Sequence, residues 1–293
     1  RKLATSLDAL IIQRTALADV REAEMILDRA AGKTVVDLDD DLSAVAPGDP
    51  NFRRYAPRLE ALRFLVREAR AVTVSTESLG VTYRRVNPST VVLPNPVHVP
   101  FSRIDDGPPN LPKGMVRMLY FGTRTHDEDF GIAEQYVRKL ASSGLTPRVD
   151  VVGAISHNYR TLDFVQQICI PPYRRRYTEF FRWLSRVQRS DFGLAPLAEN
   201  QRNRHKSDLK PLEYAALGLP AFVSDYGPYA SLIEQGLSLP LSELLDSHWE
   251  ATVESAHTAM LRARGYIKSQ RDVGRYQKKL IEVLEGCASS SSV

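Results

Sequence analysis

Cysteine is scarce in this sequence of 293 residues, which contains only Cys169 and Cys287. Two cysteines cannot build a disulfide framework, so we expect a reducing compartment and a cytoplasmic protein. Long apolar runs are also missing. The longest uncharged stretch, 86–102, is broken by four prolines, and the apolar stretch 214–224 is too short to cross a bilayer. The first residues lack the apolar core of a signal peptide.

A strong excess of charge of one sign is absent as well. The chain has 39 Lys and Arg against 35 Asp and Glu, a net charge of +4. That charge is too small to indicate a nucleic-acid partner, and no aromatic and basic platform stands out. There is no P-loop, G-x-S-x-G or G-x-G-x-x-G motif, and His and Cys show no metal-ligand spacing.

What the sequence does contain is an alternation of short apolar runs with longer amphipathic stretches, which is typical of βαβ units and parallel sheets. We predict strands at 7–14, 34–40, 71–76, 90–95, 116–122, 149–153, 167–170, 192–197 and 221–224. We predict helices near 20–31, 53–69, 127–141, 175–189, 208–217, 227–234, 246–263 and 267–285. The expected fold class is therefore α/β.

A change of composition divides this pattern. Residues 96–114 carry five prolines and two glycines without a clean period, which indicates a linker. We predict an N-terminal domain at 1–97, a linker at 98–114 and a C-terminal domain at 115–264. A closing helix with a disordered tail follows at 265–293, and packing of that helix on the N-terminal domain is one option. The first domain is expected to be short or truncated. One explanation is that the chain is part of a larger multidomain protein.

The most informative residues lie around the helix predicted near 208–217. Ser207 is a good N-cap for it, because its hydroxyl can accept a bond from a free N–H of the first turn. Lys206 and Lys210 flank that turn, and unpaired N–H groups beside cations favour an anion such as phosphate. Glu213 on the same helix can accept both hydroxyls of a ribose. The pattern fits a nucleotide diphosphate, and the alternative is a solvated helix with surface ion pairs.

Several segments carry a resemblance to a known family. GLAPL at 193–197 and KSDLKPLEYAALGLPAFVSD at 206–225 resemble the donor-binding region of GT-B glycosyltransferases of the "glycosyl transferases group 1" or family-4-like set. Further similar segments are VVDLDDDL at 35–42 (the DIDDDL segment of one bacterial subgroup), VTVSTESL at 72–79, VVLPNPV at 91–97 and LYFGTRTHDEDF at 119–130. The resemblance extends from residue 8 to about residue 235, in the family's order.

The resemblance implies two Rossmann-like domains facing a cleft. The C-terminal domain would bind mainly the nucleotide-sugar donor and the N-terminal domain mainly the acceptor. Carried over by position, Glu213 matches the glutamate that holds the donor ribose. Lys206 and Lys210 match basic positions beside the diphosphate, whereas Gly122 and Thr123 match the loop that approaches the phosphates or the sugar.

The implied activity is transfer of a hexose or deoxyhexose, in enzyme class EC 2.4, without a metal ion or other cofactor. The implied acceptor is a saccharide or a lipid-linked glycan of bacterial surface polysaccharide assembly. Peripheral contact with the inner face of the membrane is one option.

One departure from the family pattern keeps other functions open. Many members have two glutamates separated by seven residues, and the first of these positions is His205 here. Whether transfer retains or inverts the anomeric configuration therefore stays open. Two alternatives remain beside transfer: a non-catalytic nucleotide-sugar-binding or scaffold domain, and a GT-B nucleotide-sugar epimerase.

The acidic run that follows the second predicted strand has three interpretations. Asp37, Asp39, Asp40 and Asp41 would lie at the carboxyl end of a strand, where open α/β sheets bind ligands. They can serve the acceptor as a catalytic base, cap a helix, or hold a divalent cation. Asp40 and Asp39 are the candidates for the base, and Lys206 is the candidate that stabilises the leaving group.

Three further features have open interpretations. His126 either contacts the donor or caps the helix predicted from Asp127. Tyr229 either lies near the sugar or nucleobase or packs in the core. Segment 171–210 has ten basic against four acidic residues, which describes either a solvated helix face or a field that attracts an anionic donor or anionic lipid.

Overall fold

The structure, a computed structural model, describes residues 8–14, 17–42, 47, 52–98, 114–122, 127–153, 155–246 and 248–289. The chain divides into two compact units. The first comprises 1–96, 200–207 and 273–293, and the second comprises 97–199 and 208–272. Segment 200–207 thus belongs to the first unit, although its flanking residues belong to the second.

The elements are given in chain order. The strands are β1 Leu10–Gln13, β2 Thr34–Leu38, β3 Ala71–Val74, β4 Thr90–Val92, β5 Met115–Gly122, β6 Thr146–Gly153, β7 Val165–Ile168, β8 Phe192–Ala195, β9 Ala221–Val223 and β10 Leu239–Pro240. The helices are α1 Val20–Ala30, α2 Phe52–Tyr55, α3 Leu59–Glu68, α4 Glu77–Arg84, α5 Asp127–Ser142, α6 His157–Arg160, α7 Tyr177–Val187, α8 Gln201–Arg204, α9 Leu209–Ala216, α10 Pro228–Glu234, α11 Trp249–Gln270 and α12 Val273–Ser289. Short 3₁₀ turns occur at Ala56–Arg58, Pro172–Arg174 and Leu241–Leu245.

The first unit contains a four-stranded parallel sheet in the order β1-β2-β3-β4. Alternate residues of its central strands point to opposite faces, as the pleat requires. Val36 and Val72 belong to the core that also includes residues of α1, α3 and α4. Val35 and Ala71 pack on the other face with partly buried side chains of α12. Helices therefore cover both faces of the sheet, which explains its nearly continuous apolar strands.

The second unit contains a six-stranded parallel sheet in the order β10-β9-β8-β5-β6-β7. From β5 the chain builds outward through β6 and β7 on one side, then returns and builds outward through β8, β9 and β10 on the other. This is the doubly wound Rossmann order, and the direction reverses between β5 and β8. In such sheets the ligand crevice lies at the carboxyl ends of the strands at this reversal.

Both faces of the second sheet are buried. Alternate β5 residues divide between two cores, with Met118 and Tyr120 in the core that contains residues of α5 and Leu119 and Phe121 in the core that contains residues of α7, α9 and α11. This division follows from the period of two along a strand. The apolar run 118–121 is therefore the part of a central strand that is buried on both sides.

Glycine is required where backbones approach closely at this sheet. Gly153 has a φ of +109°, and a Cβ there would lie 2.1 Å from the carbonyl oxygen of Gly122 on the paired strand. A Cβ at Gly193 would lie 2.3 Å from the ring of Tyr214. The absent side chain at Gly193 thus allows α9 to pack directly on β8.

Every predicted strand has a counterpart in the structure, although most boundaries differ by one to three residues. The helix predicted at 53–69 is instead two helices, α2 and α3, around a 3₁₀ turn. Helices α4, α6 and α8 and strand β10 were not predicted. Most of the predicted linker, 99–113, and the last residues, 290–293, lie outside the described residues. None of the described helices combines the length and apolarity needed to cross a membrane.

Candidate functional site

The strand order places the expected ligand crevice of the second unit at the carboxyl ends of β5 and β8. Strand β5 ends at Gly122, the predicted donor-loop glycine, which is half-buried. Thr123 and His126 lie outside the described residues, so their predicted donor contacts stay predictions. Of the three predicted loop residues, the structure describes Gly122, which lies at the carboxyl end of β5.

Hydrogen bonds hold the loop after β8 at this crevice. The backbone N–H of Ala198 donates to Oδ1 of Asp129 at 2.8 Å, and that of Leu197 donates to Oγ of Ser224 at 2.8 Å. Asp129 is only 2% exposed and lies in the first turn of α5. These bonds join the chain after β8 to α5 and to the end of β9, and they hold residues 197 and 198 in place.

Helix α9 carries the predicted donor residues of the second unit. Its side chains from Pro211 to Ala216 are buried, because the helix packs between β8 and α11. The Tyr214 hydroxyl lies 3.0 Å from the carbonyl oxygens of both Leu119 and Leu194 and thereby ties α9 to β5 and β8. The helix that carries Glu213 is thus fixed to the two central strands of the sheet by the Tyr214 hydroxyl.

The start of α9 differs from the prediction. Asp208, not Ser207, occupies the N-cap position, and its side chain makes no capping bond. The Asp208 carboxylate instead accepts two bonds from the Arg271 guanidinium, at 2.6 and 2.7 Å. Ser207 accepts a bond from the Asn95 amide at 3.2 Å within the first unit. The prediction that Ser207 is the N-cap is therefore wrong, because α9 begins one residue later than predicted and Asp208 takes the N-cap position.

Glu213 is a buried carboxyl, only 5% exposed. The Tyr177 hydroxyl donates to its Oε1 at 2.5 Å. Burial raises the pKa of Glu213 to about 7, and the Tyr177 hydrogen bond and the Lys210 charge oppose that rise. When it is ionised, a carboxyl in this environment is a strong hydrogen-bond acceptor. Near neutral pH about half of the molecules carry it protonated.

Lys210 lies close to the end of β5. Its Nζ is 5.1 Å from the ring centre of Tyr120 and 5.7 Å from that of Phe121, the two residues that precede Gly122. The same ammonium interacts electrostatically with Glu213. In the second unit, Lys210 thus lies near the end of β5 and interacts with Glu213. The donor-binding roles of Gly122, Lys210 and Glu213 stay predictions.

In the first unit the acidic run separates into four different environments. Asp37 accepts bonds from Thr73 at 2.7 Å and from Gln13 at 3.0 Å. Asp39 accepts a bidentate pair of bonds from the Arg14 guanidinium. Both carboxylates are thus engaged in structural contacts, which makes Asp39 the weaker candidate for a base.

Asp40 has the environment of a proton acceptor. Its side chain is 31% exposed, and the Arg14 guanidinium is 3.9 Å away. Burial and the neighbouring charge of Asp39 raise the pKa of Asp40, while Arg14, Lys206 and Arg202 oppose that rise. Lys206 is therefore grouped with Asp40 in the first unit, whereas Lys210 belongs to the second.

His205 contacts the same acidic run. Its Nε2 lies 3.8 Å from Oδ2 of Asp41, a carboxylate that is 3% exposed. Segment 200–207 is held there by backbone acceptors: the Thr76 hydroxyl donates to the His205 carbonyl and the Ser78 hydroxyl to the Arg204 carbonyl, each at 3.4 Å. The histidine at the position of the first glutamate in the resembling family thus lies beside Asp41, a buried carboxylate of the first unit.

The structure also bears on the predictions for Tyr229 and for a metal ion. Tyr229 is 2% exposed and belongs to the core of the second unit, which favours its packing interpretation over a donor contact. Among the residues that the structure describes, no three His, Cys, Asp or Glu side chains are arranged to hold a metal ion.

Sequence reasoning missed three residues that shape the site: Tyr177, Asp129 and Arg271. Each acts on a partner far along the chain, for instance 36 residues away for Tyr177 and Glu213. No local pattern marks such a pair. The one available signal was Asp129 in the first turn of a predicted helix, where a carboxylate is favoured in any case.

Comparison with known proteins identifies the architecture. No protein-family model and no curated protein sequence matches the chain. Solved structures do match. A TarM structure from S. aureus, crystallised with UDP, α-GlcNAc-glycerol and fondaparinux, has a TM-score of 0.56 at 10% identity and covers 86% of this chain. The chain spans 50% of that TarM chain.

Two further structures agree with this result. A trehalose-6-phosphate structure from E. coli bound with UDP-2-fluoroglucose has a TM-score of 0.61 at 13% identity, over 98% of this chain and 74% of that chain. The lipopolysaccharide outer core galactosyltransferase WaaB has a TM-score of 0.59 at 13% identity, over 96% of this chain and 76% of that chain. The chain has the GT-B glycosyltransferase fold, and the resemblance noted in the sequence is confirmed at the level of fold.

Proposed function

We propose that this chain transfers a sugar from a nucleoside-diphosphate sugar to a hydroxyl acceptor. The observation that supports it best is the grouping of Gly122, Lys210 and Glu213 at the strand-order reversal of a Rossmann-type sheet. Ribose hydroxyls need a carboxylate acceptor, a diphosphate needs a cation, and a glycine permits close approach of backbone to ligand. Neighbours of the same fold were crystallised with UDP or a UDP-sugar.

Charge explains how the reaction would proceed. The diphosphate leaving group gains negative charge as the glycosidic bond breaks, and a fixed cation such as Lys210 stabilises that charge. Lys206 is a second candidate for this role. The anomeric carbon gains oxocarbenium character in the same step. In an inverting reaction Asp40 would take the proton of the acceptor hydroxyl, whereas in a retaining reaction the departing phosphate oxygen would take it.

The finer parts of the proposal concern substrate and setting. We propose a hexose or deoxyhexose donor and a saccharide or lipid-linked glycan acceptor of bacterial surface polysaccharide assembly, on the cytoplasmic side of the membrane. The support is the similarity to WaaB, whose name places it in the lipopolysaccharide outer core. We further expect transfer without a metal ion or other cofactor, so that activity persists in EDTA.

The decisive experiment is a donor panel. Binding of UDP-, GDP-, dTDP- and ADP-sugars is measured by calorimetry in EDTA for wild type, Glu213→Gln and the control Glu234→Gln. Glu234 is a surface glutamate of the same unit, at the end of α10. One donor should bind to wild type and to the control, and bind about tenfold to a hundredfold more weakly to Glu213→Gln, as expected for loss of hydrogen bonds to a charged group.

The outcomes separate the competing functions. Absence of binding by any donor at millimolar concentration contradicts the proposal. Binding without transfer to any acceptor favours the non-catalytic domain, which the histidine at position 205 keeps in consideration. Conversion of the donor without an acceptor favours an epimerase.

A further inference from the structure

A tyrosine outside the predicted donor segments contacts the central carboxylate of the proposed site. Tyr177 is the first residue of α7, and its hydroxyl donates to Glu213 Oε1 at 2.5 Å. Glu213 is 5% exposed, whereas Tyr177 is 43% exposed. The hydroxyl therefore points inward to a buried carboxylate, while much of the ring remains open to solvent.

The ring of Tyr177 is held in place by aromatic packing. It meets the ring of Phe181 edge to face, with centroids 4.9 Å apart. Phe181 in turn meets Phe121 edge to face at 5.7 Å, directly before Gly122 at the end of β5. Such pairs favour one ring orientation. The sequence of contacts fixes the tyrosine hydroxyl relative to the crevice of the second unit.

We infer that Tyr177 is a positioning residue for the nucleotide: its hydroxyl holds the Glu213 carboxylate ionised and oriented to accept the ribose hydroxyls. This inference rests on the proposed function. The described titratable groups that act on or with Glu213 are Tyr177, Lys210, Tyr214 and Tyr229. Tyr214 and Tyr229 are buried phenols whose pKa values burial raises well above the ordinary value, so they stay neutral. Among the described residues, Tyr177 and Lys210 are the groups that favour the negative charge of Glu213.

The role predicts a specific pH dependence. Glu213 accepts ribose hydroxyls as a carboxylate, so nucleotide binding should weaken as pH falls through the pKa of Glu213, about 7. Removing the Tyr177 hydroxyl removes a bond to the charged form and raises that pKa further. The pH at which half of the binding is lost should then be about one unit higher for the Tyr177→Phe variant than for wild type. Well below that pH, the variant should bind about tenfold more weakly than wild type.

The experiment measures UDP binding by calorimetry from pH 5.5 to 9.5 for wild type, Tyr177→Phe and the control Tyr173→Phe. Tyr173 is 74% exposed and lies in the adjacent 3₁₀ turn. Where the donor panel selects another nucleotide, that diphosphate replaces UDP. The Glu213 carboxyl carbon is titrated by ¹³C NMR in the same proteins without ligand. We expect the Tyr177→Phe variant alone to show a raised Glu213 midpoint and weaker binding at pH 6, with affinity approaching wild type at pH 9.

The results distinguish this inference from the proposed function. An unchanged carboxyl titration, or a loss of affinity that is equal at every pH, contradicts the positioning role and leaves the proposed function standing. Failure of the wild type to bind any nucleotide contradicts the proposed function. In that case the ligand-free titration still decides whether Tyr177 controls Glu213. Thermal melting of Tyr177→Phe, expected to match wild type, shows that the half-exposed substitution leaves the fold intact.

Discussion

Breaking the ion pair between Arg271 and Asp208 from one side should be among the most destabilising single substitutions in the second unit. Arg271 is 3% exposed and donates two bonds to an Asp208 carboxylate that is 18% exposed. Its backbone carbonyl also accepts a bond from Val97. The substitution Arg271→Met retains the aliphatic stem and removes the guanidinium, which leaves Asp208 mostly buried without this cation.

Breaking a buried pair from one side costs about 3–5 kcal/mol, because the remaining charge has lost both water and partner. We expect the lower end of that range, since Asp208 keeps partial access to water. With a urea dependence of about 2 kcal/mol per molar for a unit of this size, the unfolding midpoint should fall by about 1.5 M. The matched control Arg262→Met removes an exposed arginine of α11 and should shift the midpoint by less than about 0.3 M.

The assay can be specific for the second unit. Both tryptophans of the chain, Trp183 and Trp249, lie in it, so tryptophan fluorescence in urea reports its unfolding without a signal from the first unit. The pair also holds the start of α9, so UDP binding should weaken in the folded Arg271→Met protein. A loss of stability below about 1 kcal/mol would refute the reasoning, because that value belongs to a solvent-screened surface pair.

Three other predictions concern the site and its support. Glu213→Gln should be more stable than wild type by roughly 3 kcal/mol at pH 8 and equally stable below pH 4.5. The reason is that the folded state raises the pKa of Glu213 from 4.5 to about 7, so that the wild-type protein loses stability as the pH rises between these values. Urea titration at both pH values tests this, and equal stability at pH 8 contradicts it. Asp40→Asn should lower transfer about a hundredfold with unchanged UDP affinity if the product anomer shows inversion, whereas wild-type turnover in an inverting enzyme removes Asp40 as the base. Gly193→Ala places a Cβ 2.3 Å from the Tyr214 ring and should cost about 3 kcal/mol or more in the same fluorescence assay, and a neutral effect would contradict the close packing of α9 on β8.

Sequence periodicity was sufficient for elements whose burial is nearly complete. Strands β2, β3 and β8 are short apolar runs between polar segments, and their position follows from that contrast. Helix α4 escaped prediction because its sequence, ESLGVTYR, contains a glycine and has little apolar periodicity. Its start is fixed by the Thr76 side chain, which accepts a bond from the Leu79 N–H. Strand β10 has only two residues and depends on pairing with β9.

Candidate site residues could be chosen from the sequence only where the residue type and its position on a predicted helix suggest a role. Glu213 and Lys210 could be chosen because they share one face of a recognisable helix. The roles of the four aspartates could not be separated, since each is decided by a partner elsewhere in the chain, such as Arg14 for Asp39 and Thr73 for Asp37. The capping role given to Ser207 failed because α9 begins at Leu209, one residue later than the sequence predicted, so that Asp208 stands at the N-cap.

The discontinuous first unit has a consequence for the order of synthesis. On the ribosome, residues 1–96 emerge before the segments that complete their unit, because segment 200–207 and α12 follow most of the second unit in the chain. Until α12 is made, the sheet face that carries Val35 and Ala71 lacks the side chains of Val283 and Leu284 that pack on it. The usual order, in which the N-terminal domain finishes folding first, is therefore not available to this chain. A ribosome stalled before residue 273 should display a folded second unit and an incomplete, protease-sensitive first one.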